Sequence, residues 1–445
     1  MNIKLYFIVL LIGGSLSAQL PQKVTLKDAL GYALQNKADA KKAKLQIKES
    51  QAQVAEAAGD LYPHLSLSGD AVYNPLLQKY ALPGELFGMP GTTVMSTLGA
   101  KWTTTAGASL SQNIFNMPVF AKLKAAKTTR EFYQLNADLT NEQVIERVAT
   151  AYYNVFVQRE QLDAINSNYT VTKKTRDIIY GLWKNGLAKR IDLDKVDVQL
   201  SNISSTRQQL INAVQLQENA LKFYMGMPIA TPIELSKGDF KPEPLLLDDN
   251  IDVENRTEFK LLKKQEQLLQ VQKQISRSSH YPNLSLSAGY FYQGMGPKIP
   301  IGAKGTDGVY WSNYASVGLN LFIPLFSGFT IKAKVDQAKV ELQKIQEDLD
   351  DTRLSMELDY QNAKAQINNS LALIDNQKEN VDLAQKVMNN MQNNYTNGLA
   401  TLTDLLEAQN SMVQAKNNYS NAVLQFKIAE IQLLKANGSL YTLMK

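Results

Sequence analysis

A chain of 445 residues with 47 Lys and Arg against 42 Asp and Glu carries a formal charge of +5, too small and too dispersed an excess to point to nucleic acid. The complete lack of cysteine excludes disulfides, thiolate metal sites and a lipid-acylated N-terminus. No stretch reaches about eighteen consecutive apolar residues, which excludes a membrane-spanning helix, so any crossing of a membrane must be made by strands.

Lys4, the apolar run Leu5 to Ile12 and the small residues around Ser15 and Ser17 form a secretory signal peptide over residues 1–18, with the mature chain starting near Ala18 or Gln19. The run is too short to cross about 30 Å of hydrocarbon as a helix. Thr25 to Ala58 is rich in Ala, Lys and Gln, has no proline, and predicts one helix that Gly59 and Pro63 stop.

From Leu65 to Tyr73, apolar Leu65, Leu67, Ala71 and Tyr73 alternate with Ser66, Ser68 and Asp70, and a second alternation runs from Trp102 to Ile114. Both predict strands with one apolar face. Between them lies a Gly- and Pro-rich loop, Pro75 to Ala100. Pro118 suits a first helical turn, and helix-forming sequence then continues to about Trp183, which at 1.5 Å per residue gives a helix of roughly 100 Å. Such a helix does not fit inside a compact globular core. Asn185-Gly186-Leu187 turns the chain, and Lys189 to Tyr224 predicts the returning helix.

The second half repeats this plan. Tyr62-Pro63-His64-Leu65-Ser66-Leu67-Ser68 returns as Tyr281-Pro282-Asn283-Leu284-Ser285-Leu286-Ser287, Ile114-Phe115-Asn116 as Leu325-Phe326-Ser327, Asn185-Gly186-Leu187 as Asn397-Gly398-Leu399, and Gly226 as Gly438. Met227 to Asn250, with four prolines, reads as the linker, which divides the mature chain into repeats 19–236 and 237–445. Strands are expected from Leu284 to Tyr292 and from Val317 to Ile323 around the loop Gly294 to Gly308. A long helix follows from Gly328 to Tyr395 and a returning one from Thr401 to Asn437. Ile367, Ile374, Val381, Met388 and Tyr395 recur every seven residues, as do Val335, Leu342, Leu349 and Met356, the spacing of a coiled-coil seam.

Strands of this length suit a bilayer, where about ten tilted residues suffice. Four strands cannot close a barrel, and an open edge in lipid would leave backbone groups unpaired, so several chains must share one. Two copies would supply eight strands and three would supply twelve. The fold class expected is therefore an α+β membrane protein, with a long antiparallel coiled-coil tunnel joined to a transmembrane β-barrel built by several chains.

The duplicated plan, the YPxLSLS strand starts and Asn397-Gly398-Leu399-Ala400-Thr401-Leu402-Thr403-Asp404-Leu405-Leu406-Glu407-Ala408-Gln409 together resemble the TolC-like outer-membrane efflux protein family over essentially the whole mature chain. The resemblance implies a homotrimer in the outer membrane with a twelve-stranded barrel and a periplasmic tunnel of twelve helices. The tunnel tip would dock a periplasmic membrane-fusion adaptor through Asn185, Gly186, Leu187, Asn397, Gly398 and Leu399. An inner-membrane pump of the resistance-nodulation-division or ABC class would supply energy. It also implies a constriction lined by acids, with Asp404 and Glu407 at the matching positions, Asp192 in the equivalent place of the first turn and Asp194 beside it. The arginine that latches the tip in some members is replaced by Ala400. No motif calls for a cofactor, and His64 and His280 do not occupy equivalent repeat positions, so an exit duct rather than an enzyme is expected. The alternative is a soluble periplasmic coiled-coil adaptor or scaffold.

Overall fold

The computed structural model describes residues 22–236, 252–303 and 308–444. The signal peptide and the linker portion 237–250 lie outside the described residues. In chain order the first half holds β1 (Gln22–Val24), α1 (Leu26–Asn36), α2 (Ala38–Gly59), β2 (His64–Tyr73), β3 (Lys79–Pro83), β4 (Thr93–Thr97), β5 (Trp102–Asn116), α3 (Met117–Lys184), α4 (Arg190–Met225) and β6 (Ile233–Leu235). The second holds α5 (Thr257–Ser278), β7 (Asn283–Gly296), β8 (Tyr310–Phe322), α6 (Thr330–Thr396) and α7 (Leu402–Ala436). No helix among the described residues is long and apolar enough to cross a membrane.

The chain divides into two compact units, and each draws on both sequence repeats. One contains residues 46–134 and 261–350, the other residues 1–45, 135–260 and 351–445. The first unit carries an antiparallel sheet in the order β2-β5-β7-β8. Its register places Tyr73 opposite Trp102 and Leu286 opposite Leu319, with an irregularity between Asn113 and Phe115. Tyr73 and Trp102 pack at 4.8 Å, and Tyr292 and Trp311 stack at 4.7 Å, forming an aromatic band at the loop end of the strands. The edges β2 and β8 are exposed at every position. In lipid such free edges require further strands, as the strand count anticipates.

The second unit is helical. Leu30 and Ala33 of α1, Ile145, Val148 and Tyr152 of α3, Leu221 and Met225 of α4, and Ile431 of α7 share one core with the parallel pair β1-β6. Along α6, Tyr360, Ile367 and Ile374 pack against Val423, Phe426 and Leu433 of α7. Leu349, Met356, Ile367 and Ile374 of the two heptad rows are buried, and the remaining members are half-buried, so the seven-residue spacing marks a real seam.

Three features depart from the sequence expectation. The helix expected over Thr25 to Ala58 breaks at Lys37, which is extended. There the Lys37 ammonium donates to the Phe223 carbonyl at 3.0 Å and lies 3.7 Å from the centre of the Phe223 ring. The loop Pro75 to Ala100 contains its own hairpin, β3-β4, joined by a short 3-10 turn at Gly84–Phe87. Finally, the described start of the linker is not irregular throughout, because Ile233–Leu235 pairs with Gln22–Val24.

Candidate functional site

The two helical hairpins end in turns built alike. At the first, Gly186 has φ 76°, its N–H donates to the Trp183 carbonyl at 2.9 Å, and the Leu187 N–H donates to the Leu182 carbonyl at 2.8 Å. At the second, Gly398 has φ 74°, its N–H donates to Tyr395 at 3.1 Å, and the Leu399 N–H reaches Asn394 at 2.7 Å. Both are Schellman endings, in which only glycine takes the left-handed position without steric cost. The Asn185 and Asn397 amides each donate back four residues, to Gly181 and Asn393, at 2.8 and 2.9 Å. The arrangement pushes Leu187 and Leu399 outward, at 76% and 77% exposure.

Behind the turns the hairpins are held together by a small core of Ile179, Leu193, Val196, Leu402 and Leu406, with Trp183 and Tyr395 packed on it. Polar ties run alongside it. Lys195 donates to the Thr403 hydroxyl at 3.2 Å, and Gln199 to the Asn410 side chain at 2.7 Å.

The four predicted acids sit in this same region but in different states. Asp404 closes a capping box: its carboxylate accepts from the Thr401 N–H at 2.9 Å and the Thr401 hydroxyl at 2.7 Å, while its own N–H donates to that hydroxyl at 3.2 Å. These bonds, the hydroxyl first, hold its carboxyl below the usual carboxylate range. Glu407, one turn on, is exposed. Asp194 is bound by Arg190 at 2.9 Å. Asp192 is half-buried near Tyr395, whose hydroxyl is pushed up by burial and then by the Asp192 charge. Sequence reasoning missed Lys195, which takes in the first hairpin the place that Glu407 has in the second. The offset between the two turns was enough to find it.

The sequence profile of the outer membrane efflux protein family matches residues 29–227 and 253–439. The chain belongs to the outer membrane efflux protein family. Outer membrane protein TolC of Escherichia coli K12 is 23% identical over 97% of this chain and 86% of its own length. Among solved structures, the CmeC outer membrane channel of Campylobacter jejuni matches with a TM-score of 0.74 at 17% identity, covering 93% of this chain and 85% of that one. The outer membrane protein VceC of Vibrio cholerae matches with 0.70 at 18% identity, covering 93% and 96%. This efflux protein thus resides in the outer membrane, with its helical tunnel in the periplasm. It works as a duct within a multi-component pump that includes an adaptor and an inner-membrane transporter. The soluble-adaptor alternative is not favoured.

Proposed function

We propose that three copies close one barrel of twelve strands and one tunnel of twelve helices, a passive exit for cargo driven by an inner-membrane pump of the resistance-nodulation-division or ABC class. Each copy spans two sequence repeats, 19–236 and 237–445. The adaptor docks on Asn185-Gly186-Leu187 and Asn397-Gly398-Leu399. The observation that carries this is the matched pair of exposed leucines: two apolar side chains are held in water by rigid turns of identical bonding, one on each hairpin. Nothing in the folding of one chain calls for them, and a partner's apolar groove does.

Asp404, Glu407, Asp192 and Asp194 set the charge of the periplasmic constriction. Capping does not remove Asp404 from this role, because the Thr401 bonds that cap the helix donate to its negative charge rather than neutralise it and hold its carboxyl below the usual carboxylate range. Glu407 adds a second charge on the same helix, whereas Arg190 offsets Asp194.

Docking is tested with Leu187→Cys and Leu399→Cys in this cysteine-free chain. Both should crosslink to an adaptor in cells, and crosslinking from Gly84→Cys instead would invert the assignment. The constriction is tested in planar bilayers. The double variant Asp404→Ala with Glu407→Ala should lose cation preference, while Thr401→Ala, which removes the cap without changing charge, should leave the reversal potential alone. An unchanged reversal potential in the double variant would sink the acidic ring.

A further inference from the structure

The hairpin β3-β4 connects Tyr73 to Trp102, at the end of the sheet away from the helices. Its base is pinned, because the Asn74 N–H donates to the Lys101 carbonyl at 2.7 Å and the Asn74 amide to the Ala100 carbonyl at 3.3 Å. Its tip is a closed set of bonds. The Gly84 N–H donates to the Thr92 carbonyl at 2.8 Å, the Met89 N–H to the Gly84 carbonyl at 2.9 Å, the Thr92 hydroxyl to the Met89 carbonyl at 2.7 Å and the Gly91 N–H to the Glu85 carboxylate at 3.1 Å. Gly84 has no room for a Cβ, which would collide with Thr92 and the Met89 carbonyl. This fixed tip holds Leu86, Phe87 and Met89 in water at 71%, 49% and 58% exposure, and Met95 behind them is exposed too.

Such a hairpin requires a cover. It pairs with no other strand among the described residues, and two strands by themselves are marginal in water. Apolar side chains displayed on a rigid turn mark a surface that something packs against. Reach indicates what that is. Twelve strands about 4.8 Å apart at a tilt of roughly 40° make a barrel of about 12 Å radius. The arm from Lys79 paired with Thr97 to Pro83 paired with Thr93 extends roughly 17 Å from rim to tip. Folded inward, an arm of that length brings its tip to the axis, where it meets the identical tips of the other copies. Folded outward it meets headgroups and water, which offer an apolar tip nothing. Ile299 and Ile301 of the other outer loop are also exposed, so both repeats contribute apolar surface at this end.

We propose that the β3-β4 hairpins of three copies fold across the outer mouth of the barrel and pack tip to tip on its axis, with Leu86, Phe87 and Met89 of each copy forming one apolar plug. The partner of this surface is the same chain. An apolar constriction excludes water and ions by dewetting and needs no charge to do so. The duct thus narrows at its two ends by different means, with acids at the periplasmic tip and apolar side chains outside. The inference rests on three copies sharing one barrel, and the test separates the two.

The lack of cysteine allows Phe87→Cys and Lys79→Cys, each alone in the full chain, to be oxidised in native outer membranes with copper phenanthroline. Phe87→Cys should give covalent dimers between copies. Lys79→Cys should give none, because at the rim the copies stand about 20 Å apart. The mass of the detergent-extracted particle is measured on the same material. A single-chain mass overturns the shared barrel and the plug with it. Three chains without a crosslink at position 87 leave the barrel standing and overturn the plug. A thiol there that reacts freely with a maleimide then means that the tips stand apart in water, and one that resists means that another molecule covers them. Closure is read by polymer exclusion in planar bilayers. The triple variant Leu86→Ser, Phe87→Ser and Met89→Ser should assemble in normal yield, since these side chains are exposed in the single chain. From the loop side it should admit polyethylene glycols several-fold larger in mass than the parent does. An unchanged size limit would mean that the tips do not close the mouth, and would overturn the plug.

Discussion

The two hairpin tips share a geometry and differ in chemistry. Their turns match bond for bond, down to the back-donating Asn185 and Asn397. The helices that leave the turns do not match. Thr401 caps α7 through Asp404, whereas Lys189 occupies the same place on α4 and its side chain caps nothing. Asp192, at the position equivalent to Asp404, is thereby released from capping and lies near Tyr395 instead. Turn shape rests on one left-handed glycine at each tip, where any other residue but Asn is strained, while the capping position can be surrendered for about 1 kcal/mol and reused. The two tips share what sterics penalises changing and differ in their electrostatics.

The strongest probe of the shared part is the buried layer under the turns. Leu193→Ala and Leu405→Ala remove equivalent, fully buried side chains and should each cost about 2–5 kcal/mol of unfolding free energy in detergent melts. A markedly smaller loss at one site would show that the two tips are not packed alike. Next come the turns themselves. Gly186→Ala and Gly398→Ala force a side chain into the left-handed region and should each cost about 1–2 kcal/mol, by nearly the same amount.

The divergent part predicts unequal effects. Thr401→Ala should cost about 1 kcal/mol at neutral pH, and Lys189→Ala close to nothing. The Thr401 effect has a pH signature. The folded carboxyl of Asp404 lies below its unfolded value, so the stabilisation is complete above the ordinary carboxylate range and is lost as pH falls through the depressed folded value. The gap between parent and Thr401→Ala should accordingly narrow on acidification, measured by denaturant titration, and a gap that widens would contradict the capping box. The smallest effect is electrical. Lys195→Gln should shift the reversal potential toward stronger cation preference, opposite in sign to Glu407→Gln.

Much of this architecture was legible because the signals were long or repeated. The proline-free stretch from Pro118, the alternation in the four barrel strands and the heptad rows in α6 each rest on many residues. What escaped was set by contacts distant in sequence. Lys37 looks like any helical lysine, and its break arises because the C-terminal carbonyls of α4 offer it a better partner. Gly226, at φ 71°, makes room for it, since a Cβ there would stand 2.9 Å from the backbone of Asn36 and Lys37. Strands β1 and β6 are three residues each, too short for alternation to declare itself. At the tips, the sequence located the acids but not their engagements, because whether a carboxylate is spent on a cap depends on the residue three positions before it. Thr401 was visible there, and its absence at Lys189 was the clue to Asp192.

The strand order carries a consequence for the history of each molecule. The two central neighbours, β5 and β7, come from opposite halves, so Trp102 cannot find Gly296 until most of the chain has been made and exported. Until then β5 is an amphipathic segment with half of its backbone partners missing, in water. Such non-local pairing is slow to form and exposed to aggregation. The newly exported chain must therefore travel as a long-lived unfinished species, and its survival depends on how quickly its second half arrives.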